Sequence, residues 1–86
     1  MKDKELIREK LLDMLSNKYK VNINKSYNIY DLNLLGKSMR MGASDLMTLF
    51  LDVEKQFNIV ITEEDIIEGR FKTINLITEL IYEKTA

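Results

Sequence analysis

The stretch SDLMTLFLDVEKQFNIVITEEDI, residues 44–66, decides the fold. Leu46, Leu49, Phe50, Val53 and Phe57 fall at steps of three, one, three and four, which places them on one face of a helix. Ser44 or Ala43 opens that helix, with Ser44 reading as its N-cap and Asp45 complementing the positive end of its dipole. After Phe57 the alternation Asn58-Ile59-Val60-Ile61 predicts a short extended connection, too isolated to pair into a sheet. Thr62-Glu63-Glu64-Asp65 is a capping signal with acids in the first turn; Ile66-Ile67 and a stop at Gly69 leave room for one or two turns of helix.

Working outward from this stretch, Leu6, Ile7, Leu11, Met14 and Leu15 recur every three or four residues among charged ones, predicting a first amphipathic helix from Asp3 to about Asn17. From Lys18 to Ala43 the period is lost and asparagines recur, which predicts a long connection. In so small a chain that connection must be pinned by its own apolar residues, Val21, Ile23, Tyr27, Ile29, Leu32, Leu34 and Leu35, with a helical turn near Tyr30–Leu35. Thr73 caps a last helix whose buried stripe is Ile74, Ile77, Leu80 and Ile81. The expected architecture is therefore all-α: helix, long loop, helix, short helix, helix. Its core is expected to be Leu11, Leu15, Leu46, Leu49, Phe50, Val53, Phe57, Ile61, Ile77 and Ile81.

At 86 residues, 45% hydrophobic and 31% charged, the chain fits one small domain over residues 1–86, with too little buried surface for a deep active site. It has no Cys and no His, which removes disulfides, thiolate chemistry, Cys/His metal sites and the usual general base. An enzyme is not expected. Unbroken apolar runs such as Leu49–Leu51 are far too short to span a membrane, and the first residues lead into an amphipathic segment, so a cytoplasmic monomer is expected.

The net charge is −1, which gives no overall field for nucleic acid or an anionic membrane. The distribution is uneven. Residues 1–42 hold nine Lys/Arg against five Asp/Glu, whereas residues 43–86 hold four against nine. Between Ser44 and Glu68 stand Asp45, Asp52, Glu54, Glu63, Glu64, Asp65 and Glu68 with one base, Lys55. That stretch either attracts a basic partner surface or is a solvated helix face. Glu63, Glu64, Asp65 and Glu68 lack the spacing of a calcium loop, so no metal is expected. Met39, Met41 and Met47 near the start of the second helix form either an adaptable apolar patch or ordinary core.

The order of elements resembles that of acyl carrier proteins. LFLDVEKQFNIVITEEDI (Leu49–Ile66) is similar to the family's second helix, the segment after it and its acidic cap; KTINLITELIYEK (Lys72–Lys84) is similar to its last helix. The resemblance implies a four-helix carrier bundle with a long first loop and a short third helix. It also implies a serine at the start of the second helix bearing 4'-phosphopantetheine, through which an acyl or aminoacyl group is carried. A helix N-terminus suits a phosphodiester because its free N–H groups and dipole favour an anion. Here the sequence departs from the family pattern. Counting back from Phe57 without a gap places the attachment column at Ala43, which cannot be modified. Ser44, in GASDL, is one residue away and is the first candidate; Ser38, in LLGKSM, resembles the form found in peptide-synthetase carriers and is the weaker one. Without the arm, Ser44 is a helix cap and Ser38 a loop hydroxyl.

LLGKSMRMGASDLMTLF (Leu34–Phe50) resembles carrier-related proteins of bacterial peptide-maturation systems, which depart from carriers at the prosthetic serine. Two functions follow as expectations. One is a carrier served by a phosphopantetheinyl transferase in a biosynthetic pathway. The other is an unmodified carrier-derived module that docks a biosynthetic or tailoring enzyme with a basic surface through Asp45, Asp52, Glu54, Glu63 and Glu64. Lys37 and Arg40, before the second helix, either meet a phosphate or acidic partner or serve solubility.

Overall fold

The computed structural model describes residues 3–18, 29–35 and 41–85, and over these the protein is all-α. Helix α1 spans Lys4–Lys18, α2 Ala43–Phe57, α3 Glu63–Ile67 and α4 Ile74–Thr85, with a 3-10 turn at Ile29–Asp31. The order is the one that the apolar periodicity predicts, and the turn falls one residue ahead of the predicted segment. Among the described residues there is no strand, and no helix is long and apolar enough to cross a membrane.

The core forms where the helical stripes meet. Ile7, Leu11 and Leu15 of α1 are buried, and α1 packs along α4, whose Ile74, Ile77, Leu80 and Ile81 are buried too. Thr78 lies among them; its hydroxyl donates to the Ile74 carbonyl at 2.7 Å, so the buried polar group is satisfied. From α2 come Leu49, Val53 and Phe57. Leu6 departs from the expected stripe and is exposed, because it sits about 100° round α1 from Ile7.

Helix ends follow local chemistry. The Thr62 hydroxyl accepts from the Asp65 N–H at 3.2 Å while the Asp65 carboxylate accepts from the Thr62 N–H at 2.9 Å, a complete capping box. Thr73 caps α4 by accepting from the Leu76 N–H at 3.0 Å. Helix α2 opens at Ala43, one of the two expected positions, but its cap corrects the sequence reading. Its N-cap is Gly42, in extended backbone, and Ser44 lies inside the first turn. The Asp45 carboxylate accepts from the Gly42 N–H at 3.0 Å, supplying the half of a capping box that needs no side chain at position 42. At its other end α2 stops on Asn58, whose φ of 53° is the left-handed conformation that asparagine tolerates.

The connection before α2 is held at several points. Leu34 is fully buried, and its N–H donates to the Lys72 carbonyl at 2.8 Å. The Arg8 guanidinium lies over the Tyr30 ring, 4.6 Å from its centre, and donates to Asn75 at 3.0 Å; Asn75 in turn donates to Asp31 at 2.7 Å. The 3-10 turn is thereby tied to α1 and α4 together. Leu32 is half-buried, as a pin should be, but Leu35 is exposed. The proposed pins Val21, Ile23 and Tyr27 lie outside the described residues, as does the side chain of Ile29.

Candidate functional site

Leu46 and Phe50 do not sit in the closed core that the sequence predicts for them. Both are half-buried, because the α2 face that carries them borders an apolar groove of about 760 Å³. Ala43 and Met47 complete the α2 wall, one turn apart on the same face. Opposite stand Ile66 of α3 and Phe71 of the α3–α4 turn; Phe71 meets Phe50 edge to face, with ring centres 5.8 Å apart. Leu35 also lines the groove. The polar members are Thr62, Glu63 and Lys72, so the rim carries one carboxylate and one ammonium.

The five acidic residues expected to meet a partner occupy different situations. Glu63 and Glu64 are exposed in the first turn of α3, and Glu63 borders the groove. Asp45 is exposed at the start of α2 while its carboxylate caps Gly42. Asp52 is half-buried and pairs with Lys18 at 2.7 Å, fastening the end of α1 to α2. Glu54 is half-buried and accepts from the Ile61 N–H at 2.9 Å, while its backbone carbonyl accepts from Ile59 at 3.1 Å. Glu54 therefore organises the turn that buries Ile59 and Ile61 and leaves Val60 outside.

Asp65, which the sequence offers as another surface acid, is buried. Its carboxylate takes the Thr62 N–H, an ion pair with Lys84 at 3.0 Å and a longer one with Arg70 at 3.7 Å. The Thr62 hydrogen bond, assisted by Lys84, holds its pKa below the ordinary carboxylate value against the opposing effect of burial. Arg70 also reaches Glu83, so a chain of charges fixes α3 to the far end of α4. The signal for this was divided between two separate elements: Thr62-x-x-Asp65 announces the cap of α3, and Lys84 lies nineteen positions further on in α4.

Of the two candidate serines, Ser44 is exposed in the first turn of α2. It lies about 100° round the helix from Ala43 and is not part of the groove wall. The residue at the groove mouth in the gap-free column is Ala43, which has no hydroxyl. Ser38, Lys37, Arg40 and Met39 lie outside the described residues. Met41 is buried core, whereas Met47 is 63% exposed beside the groove. Comparison of the chain with protein-family models, with curated proteins and with solved structures finds no match.

Proposed function

We propose that this protein is a carrier-like interaction module that works without a prosthetic group, docking an enzyme of a biosynthetic or peptide-maturation pathway through the α2–α3 face. One observation carries the reading: position 43, where the resemblance to acyl carrier proteins puts the attachment serine, borders the groove and is alanine. The groove and the acidic start of α3 lie beside it and support reading this face as a recognition surface. The absence of Cys and His from the sequence agrees with a binding role.

A second reading has its own support. The exposed position of Ser44 in the first turn leaves it accessible to a modifying enzyme, and it lies one residue from the expected column. A carrier using Ser44 would present its arm from the face beside the groove. Incubating the purified chain with coenzyme A and a broad-specificity phosphopantetheinyl transferase, with an ordinary carrier alongside, separates the two by intact mass. The module reading expects no mass gain. A gain abolished by Ser44→Ala or Ser38→Ala would replace it with the carrier reading.

A further inference from the structure

The stretch from Ile61 to Phe71 is fixed at both ends by apolar residues and by almost none between them. Ile61 is buried, and its N–H is held by the Glu54 carboxylate at 2.9 Å. Phe71 is buried against Phe50, and the carbonyl of the next residue, Lys72, accepts from Leu34. Of residues 62–70, Asp65 alone is buried. The two aliphatic side chains of α3, Ile66 and Ile67, are 43% and 78% exposed. A helix of five residues does not hold itself together in water, so its place depends on what fastens it.

What fastens it is charge. The Asp65 carboxylate faces Lys84 of α4 at 3.0 Å and Arg70 at 3.7 Å, and Arg70 also reaches Glu83. Both cationic side chains are 26% exposed, so water reaches these pairs, and charges that separate there regain hydration. Releasing them therefore costs far less than uncovering the apolar core. Through Glu63 and Ile66, α3 is also a wall of the groove. We propose that α3 is a flap on the groove, latched by the contacts of Asp65 with Lys84 and Arg70 and pivoting about Ile61 and Phe71. Its opening uncovers Leu46 and Phe50 from the side while α1, α2 and α4 stay packed. Such a flap serves the groove whether or not Ser44 is modified.

Hydrogen exchange on the full chain, isotopically labelled, reads the flap through the amides of Ile66, Glu68, Gly69 and Arg70, which are bonded within residues 62–70, and the core through Ile77, Leu80 and Ile81 of α4. Corrected for intrinsic rates, the flap amides should exchange at least roughly a hundredfold faster than the core ones. Their rates should stay nearly constant up to about 1 M urea, because the opening exposes little surface, while core exchange rises steeply. Asp65→Asn keeps an oxygen for the Thr62 N–H and discards the charge; Lys84→Met keeps most of the stem and discards the ammonium. Each should speed the flap roughly tenfold. The core amides should speed by the same factor, since both openings start from the latched state, so the interval between flap and core persists. Nile red, an uncharged apolar dye, should bind each variant roughly threefold or more tightly, the open groove being more populated.

Flap amides that exchange at the rate of the core, with its urea dependence, would overturn the proposal, because α3 would then open only with the whole molecule. So would flap exchange unchanged in both variants, which would take the charges out of the latch. Unchanged dye affinity in a variant whose flap opens faster would also overturn it, by separating the motion from the groove. Lys84→Met, an exposed position near the end of α4, carries the test by itself where Asp65→Asn disturbs the cap. These readouts are separate from covalent mass, which decides the module reading.

Discussion

Two carboxylates, Asp65 and Glu54, show how little of a residue's role its type reveals. Each belongs to an acidic run, yet each is spent on holding backbone: Asp65 on the Thr62 N–H and Glu54 on the Ile61 N–H. Asp65→Asn removes the charge that faces Lys84 and Arg70, and we expect it to cost about 1–3 kcal/mol in chemical denaturation at pH 7. The pH dependence has a definite sign. Because the folded pKa of Asp65 is lowered from 3.8, its ionisation contributes stability that is fully present above the unfolded value and is lost as pH falls through the folded one. The gap in unfolding free energy between wild type and Asp65→Asn should be constant above about pH 5 and shrink below pH 4. A gap that widens on acidification would contradict the assignment. Glu54→Ala should cost about 1 kcal/mol, and Glu54→Gln less, since the amide oxygen still accepts from Ile61. For the same reason charge reversal at Glu54 would confuse docking with stability, and Glu63 and Glu64 are the positions to reverse.

At the scale of elements, the helices themselves were legible and their surroundings were not. The stripe of α4 and the Thr62 and Thr73 caps are local patterns, and local patterns survive folding intact. Leu46 and Phe50 show the limit. Periodicity names the apolar face of α2 but not whether another element covers all of it, and one strip of that face stays open as the groove. Phe71 and Leu34 are core residues in non-periodic segments, placed by a turn and by the Leu34–Lys72 hydrogen bond. The cap of α2, read as Ser44, was misplaced because glycine caps without a side chain; its partner, Asp45 three residues on, was the readable half. Gly69 is a turn position that requires glycine's freedom, with φ of 77° and the Lys72 side chain 3.2 Å from where a Cβ would stand. Gly69→Ala should lower stability by about 1 kcal/mol or more, measured by urea titration. Phe71→Ala, which removes the edge-to-face partner of Phe50, should cost about 3–5 kcal/mol in the same titration and enlarge the groove.

For the whole molecule, the opposite charge of its two halves is partly closed on itself. Lys18 pairs with Asp52, and Lys4 pairs with Glu79 at 2.6 Å and lies over the Tyr82 ring, so basic residues of α1 meet acidic ones of α2 and α4. Exposed pairs of this kind contribute little, and we expect 1 M NaCl to move the thermal midpoint by less than about 4 °C. Glu63 and Glu64 stay exposed at the start of α3, whereas Asp52, Glu54 and Asp65 are engaged by groups that charge patterning alone does not reveal. The central claim is that position 43, not Ser44, is where an arm would have to stand, and that its alanine makes this a module that works unmodified. The direct measurement is intact mass after treatment with coenzyme A and transferase, comparing wild type with Gly42→Asp, Ala43→Ser, Ser44→Leu combined. Space exists for the first change, since a Cβ at Gly42 would lie 3.8 Å from the Asp45 carboxylate. The account predicts an unmodified wild type and a labelled triple variant; a wild type labelled at Ser44 as readily as the triple variant would contradict it.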